Sequence, residues 1–273
     1  MTKRALLVGC TGGGLVQEGK NDPQYSASVL SMTQAIAPYK FACHVVSADT
    51  ITLEQWVNES LWLQGADVAV LFYSGHGFRA RASGKIITGI WSGVPISHAL
   101  FEQSVLAPTR KNTGVLVRIY DCCFGGSGVQ TLLSAAGNVH RARIKSHPMC
   151  DDEAPANIEH YALVNEKDVV IAACGGRQFS YGYFDGGVSE YWHPLNTRGH
   201  SLFTWCLWPS LNYWAGNSLA KGVNTACQFR SNAAMEFFSA GAGWLMAPGV
   251  KYPKPDVILR KPRSVPDNIL IAS

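Results

Sequence analysis

The eight cysteines (positions 10, 43, 122, 123, 150, 174, 206 and 227) include no CxxC pair. The spacing of a zinc site is therefore missing. A secretory leader is also not expected. Two basic residues open the chain, but the apolar stretch after them, residues 5–8, is too short for a signal-peptide core. Scattered cysteines without such a leader read as reduced cytosolic thiols, most of them small core residues. No apolar run reaches the length of a membrane span. No Lys/Arg run is long enough to form a basic arm, and the net charge is only +4, which argues against nucleic acid as a partner. Charge of either sign is scarce. Charged residues make up 15% against 47% hydrophobic, which excludes a disordered chain and points to a well-buried globular one. Internal repeats are absent. The expected location is cytoplasmic.

What is present is a regular alternation. Strands are predicted over residues 5–9, 41–47, 68–73, 114–120 and 169–173. Helices are predicted over 26–37, 52–63 (with Thr50 or Thr52 as N-cap), 97–106, 129–136, 201–214 and 218–238. Near-continuous apolar strands separated by helices predict an α/β fold with a mostly parallel central sheet and helices on both faces. The 273 residues suit one large domain, expected over 1–247. Residues 248–273, rich in proline and basic residues, are expected to be a tail with at most one edge strand. Two stretches break the alternation and read as loops: 137–167, which is polar, and 181–200, which is glycine-rich and aromatic.

Reactive groups in such sheets sit beyond the C-terminal strand ends. The first strand ends in "GCTGGG" (residues 9–14), which matches neither a dinucleotide fingerprint nor a phosphate loop and reads as a glycine turn. The third ends in "YSGHG" (73–77) and the fourth in "YDCCFGG" (120–126). A histidine and a cysteine thus stand at one sheet edge, 47 residues apart. An imidazole beside a thiol can accept its proton and later protonate a leaving amine. Backbone N–H groups at Gly77 and at the cysteine suit a developing oxyanion. Residue types and placement together point to acyl transfer. Adjacent side chains in an extended segment face opposite ways, so only one of Cys122 and Cys123 can face His76.

"FYSGHG" and "YDCCFGG" resemble the caspase-like cysteine peptidases, and the acid two residues before the second cysteine resembles the metacaspase branch. "KRALLVG", "GKNDPQYSASVLSM" (19–32), "VVIAACGGRQFS" (169–180) and "RGHSLFTWCL" are similar to further family segments. The similarity covers about residues 3–207. It implies a caspase-like fold, His76 as base and Cys123 as nucleophile, with Cys122 turned into the core. It also implies a basic-residue P1 pocket made by Asp22, Ser74 and Asp121. Paired carboxylates favour a substrate cation, above all the fork of Arg, so cleavage after Arg or Lys is expected. Asp22 also suits a helix N-cap, and Asp121 a strand-end hydrogen bond.

The resemblance has departures. Phe124-Gly125-Gly126 stands where metacaspases usually carry His-Ser-Gly. Residues 78–103 hold one acid, Glu102, and Gln130 lies seven residues after Cys123, so a calcium site of the family kind is not expected, and no metal or cofactor is. Arg141, Arg143 and Lys145, in the loop "HRARIKSH" (140–147), fit the expected specificity and are candidate processing sites, for the protein itself or an upstream protease. The chain is expected to be a monomeric, stand-alone catalytic unit acting on protein or peptide substrates. Two alternatives are a catalytically silent caspase-like binding protein and, more remotely, a thiol redox or ligand-binding domain.

Overall fold

The structure is a computed structural model and describes residues 1–10, 23–82, 85–122, 168–173, 204 and 258–260. Its centre is a six-stranded sheet. The strands are β1 (Lys3–Cys10), β2 (Ala42–Ala48), β3 (Val68–Ser74), β7 (Val115–Asp121), β8 (Asp168–Ala172) and β9 (Ile258–Arg260), in the order β2-β1-β3-β7-β8-β9. All neighbours are parallel except β8 and β9, which pair antiparallel at one edge. Every residue of β3 and β8 is buried, which is why these strands read as unbroken apolar runs.

Side-chain alternation divides the core in two. Ala5, Leu7, Val70, Phe72, Val117, Ile119 and Ile171 pack on one face with Val29, Met32 and Ile36 of α1 (Pro23–Ile36). Leu6, Val8, Leu71, Tyr73, Tyr120 and Cys122 pack on the other. There they meet Trp56 of α2 (Leu53–Ser60) and Phe101 of α3 (His98–Phe101). Helices thus cover both faces, as the alternation predicts. Thr52, not Thr50, caps α2. Its hydroxyl accepts from the Gln55 N–H and the Gln55 side chain accepts from the Thr52 N–H, which satisfies two orphan donors of the first turn.

The helix predicted over 97–106 runs further than expected. After α3 it widens into a π turn (Glu102–Leu106) and continues as α4 (Ala107–Lys111). The predicted helices over 129–136, 201–214 and 218–238 and both predicted loops lie outside the described residues, apart from Thr204. A second, three-stranded sheet has no counterpart in the prediction. It comprises β4 (His76–Ala82), β5 (Lys85–Trp91) and β6 (Pro95–Ser97), all antiparallel. Among the described residues no helix is long and apolar enough to cross a membrane.

Tyr120 shows how closed the interior is. Burial pushes its hydroxyl up to about 12, against the pull of the Arg118 guanidinium. Between the ordinary value of 10 and about 12 the unfolded chain loses this proton and the folded chain keeps it. Tyr120 therefore costs stability as pH rises through that window, on the order of 1.4 kcal/mol per pH unit. Denaturant titrations of wild type and Tyr120→Phe across the window should show the stability difference moving in the variant's favour by about that slope. A pH-independent difference would mean that Tyr120 ionises in the folded state.

Candidate active site

The C-terminal ends of the five parallel strands face the same way. α1 follows β1 and leads to the parallel β2, so it must run back along the sheet and start at this edge. Its first residue, Pro23, follows Asp22 directly in sequence; Asp22 itself lies outside the described residues.

The two motif-bearing strands, β3 and β7, are immediate neighbours, in register from Val68↔Val115 to Ser74↔Asp121. At the last pair the Ser74 hydroxyl donates to Asp121 Oδ2 at 3.4 Å. One residue on, the Gly75 N–H donates to the Asp121 carbonyl at 3.3 Å. The corner that carries His76 is therefore tied directly to the strand end that carries the cysteines. His76 opens β4 and is half-buried. Gly77 follows it, buried and in register with Ile90 of β5.

Asp121 is fully buried. The Thr204 hydroxyl also donates to its Oδ2, at 2.6 Å, so two hydroxyls orient the carboxylate. Alternation sets Asp121 on the α1 face of the sheet, with Val117 and Ile119. Cys122 lies fully buried on the opposite face, in the cluster with Tyr73 and Tyr120. The structure thus brings together His76, Gly77, Ser74 and Asp121. Cys123, Asp22, Arg141, Arg143 and Lys145 lie outside the described residues. Among the described residues no three of His, Cys, Asp and Glu converge as a metal site.

Sequence reasoning missed two participants. Thr204 stands 83 residues from the acid it touches, and no spacing rule links them. Tyr73 passes as apolar filler in a buried strand, yet its hydroxyl donates to the carbonyls of His76 and Trp91. The available signal was an aromatic residue two places before a glycine in "YSG": a Cβ on Gly75 would lie 2.3 Å from the Tyr73 hydroxyl oxygen.

Comparison with known proteins agrees with this architecture. The family model of the peptidase C14 caspase domain matches residues 2–232. Caspase-1 from Spodoptera frugiperda superposes with a TM-score of 0.57 at 12% identity, over 95% of this chain and 86% of that one. A second structure, pro-sf-caspase-1, gives 0.54 at 11%, over 95% and 87%. Protein GSU0716 from Geobacter sulfurreducens gives 0.53 at 15%, over 100% and 97%. No curated protein matches the sequence. With a caspase domain matched over most of its length, and a parallel sheet with helices on both faces like that of the caspases, the chain belongs to the caspase family.

Proposed function

We propose that this chain is a cysteine endopeptidase of the metacaspase type, with His76 as base and Cys123 as nucleophile, that cleaves proteins after Arg or Lys. The observation that carries this reading is the tie between the two motifs, Ser74↔Asp121 in register and Gly75 N–H on the Asp121 carbonyl. It makes the strand ends bearing His76 and the cysteines immediate neighbours. In the reaction His76 takes the thiol proton, and the thiolate attacks the scissile carbonyl. The N–H of Gly77 and that of Cys123 stabilise the oxyanion. His76 returns the proton to the leaving amine, and water then hydrolyses the thioester. Asp121 forms the floor of the P1 pocket, its carboxylate held by Ser74 and Thr204, with Asp22 as the second acid. Two carboxylates recognise a guanidinium better than a carboxylate side chain.

No cofactor and no calcium enter this scheme, and the enzyme acts as a cytoplasmic monomer in regulated proteolysis. Cleavage at Arg141, Arg143 or Lys145 activates it. The Phe124-Gly125 departure supports one other reading, a caspase-like protein that binds partners without cutting them.

A panel of fluorogenic peptides differing only at P1 (Arg, Lys, Asp, Leu), run with calcium or chelator, tests the proposal. Turnover is expected after Arg, then Lys, unchanged by chelator. Turnover after Asp would overturn the pocket. An Arg141/Arg143/Lys145→Ala variant that stays intact and fully active would remove the processing step. Silence even after trypsin nicks that loop would favour the non-cutting reading.

A further inference from the structure

His76 sits where the chain leaves one sheet for another, and a general base must be held to a fraction of an ångström. The chain turns within a single residue, Gly75, between β3 and β4. What fixes that corner comes from beneath. Tyr73 is fully buried, and its hydroxyl reaches the His76 carbonyl at 2.9 Å and the Trp91 carbonyl at 2.8 Å. Its one proton is shared between the two acceptors. His76 and Trp91 are the first register pair of the β4–β5 ladder, so the hydroxyl fastens the end of the small sheet onto the large one.

The ring is itself held in place. It packs edge-on against Trp56, with centroids 5.8 Å apart. The Trp56 indole N–H donates to the Ser92 hydroxyl, and that hydroxyl donates to the Ile51 carbonyl at 2.7 Å. Ser92 directly follows Trp91. The Trp91 carbonyl that Tyr73 grips therefore belongs to backbone anchored from a second direction. Gly75 completes the device. A Cβ there would lie 2.3 Å from the hydroxyl oxygen and 2.5 Å from Cζ, so only glycine lets the ring pass under the corner.

We propose that Tyr73 is the positioning residue for His76, its hydroxyl holding the backbone that aims the imidazole at the nucleophile. This rests on the peptidase reading above. Tyr73 touches no substrate and acts only through His76. Losing the hydroxyl leaves the ring packed but frees the corner to move, and a shift of about 1 Å in a catalytic group costs on the order of 100-fold.

The test compares Tyr73→Phe, His76→Ala and Leu116→Ala in the full chain, with an Arg-P1 fluorogenic peptide and with iodoacetamide. The alkylation rate of Cys123, mapped by mass spectrometry, is followed against pH. Leu116→Ala weakens the same core face at the opposite end of β7, beside Ala69, away from Tyr73 and Trp56. Tyr73→Phe is expected to lower kcat about 10- to 100-fold with KM within about twofold. It should also shift the His76-dependent limb of the alkylation profile. Leu116→Ala, at an equal or larger loss of Tm, should leave both unchanged. The proposal is overturned if Tyr73→Phe keeps wild-type kcat and alkylation profile while His76→Ala loses them. It is equally overturned if Leu116→Ala lowers kcat as much as Tyr73→Phe. If His76→Ala changes neither turnover nor alkylation, the dyad itself is wrong and the proposal falls with it.

Discussion

Cys123→Ala will abolish hydrolysis of Arg-P1 peptides, while Cys122→Ala will leave the rate within about twofold of wild type. The two residues are neighbours in sequence, so the contrast must come from facing. Cys122 is fully buried in the cluster of Tyr73, Tyr120 and Phe101, where no peptide carbonyl can reach its sulfur. Asp121 lies on the opposite face of the sheet, and an extended chain alternates. The thiol that shares a side with Asp121 and Ser74 is therefore not Cys122. Loss of a nucleophile removes the covalent route altogether, and in comparable enzymes this costs on the order of 10⁶ in kcat. Cys122→Ala instead deletes one buried sulfur. Its cost is a small cavity, about 1 kcal/mol, read as a fall of a few degrees in Tm. The measurement is steady-state hydrolysis by both variants beside thermal melts. A dead Cys122→Ala with a normal melt would reverse the assignment of the nucleophile.

The parts of the molecule legible from sequence share a physical cause. β3 and β8 are buried on both faces and so are apolar except at Ser74, which ends one, and Asp168, which starts the other, and that pattern is visible without a structure. The ends of β3 and β7 were legible because polar and glycine residues interrupt the runs abruptly, at Ser74 and at Asp121. The small sheet was not legible. β4 carries Arg79, which is buried despite its charge, and β5 carries Gly89 in its interior. A glycine within a strand reads as a breaker. Here it is required, because a Cβ would lie 2.1 Å from the Ile96 carbonyl oxygen of β6. Arg118 poses the same problem within "VLVRIYD". It is a lone charge in a buried strand, with its partners distant in sequence. Only folding brings Glu102 and Asp168 to it.

That buried cluster carries the largest stability effect. Asp168, fully buried at the start of β8, takes a two-point contact from Arg110, with Nε on Oδ1 at 2.8 Å and Nη2 on Oδ2 at 2.6 Å. Arg118, itself 1% exposed, approaches the same Oδ2 at 2.9 Å. Glu102 completes the group, 2.7 Å from Arg110 and 3.5 Å from Arg118. Two guanidinium groups are thus balanced by two carboxylates; burial pulls the Arg110 value down, but its hydrogen bonds to Asp168 and Glu102 and their charges together outweigh this and raise it, so it stays charged at any working pH. Asp168→Asn keeps the shape but leaves two buried cations facing one carboxylate. Breaking such a pair from one side costs about 3–5 kcal/mol. A Tm loss on the order of 10 °C follows. Glu102→Gln should cost less, because its side chain is 25% exposed and water screens the charge it leaves behind. The cluster also spans the interval where cleavage is proposed: Arg110 and Arg118 precede residues 123–167, and Asp168 follows them. Once that interval is cut, the two pieces are held by β7–β8 pairing, apolar packing, the Thr204–Asp121 hydrogen bond and this charge group, with no covalent link between them. Nicked wild type should elute as one species in size exclusion, and nicked Asp168→Asn should separate under mild denaturant where wild type does not. Equal resistance of the two nicked proteins would show that strand pairing and apolar packing alone hold the halves together, and that the charges merely neutralise one another.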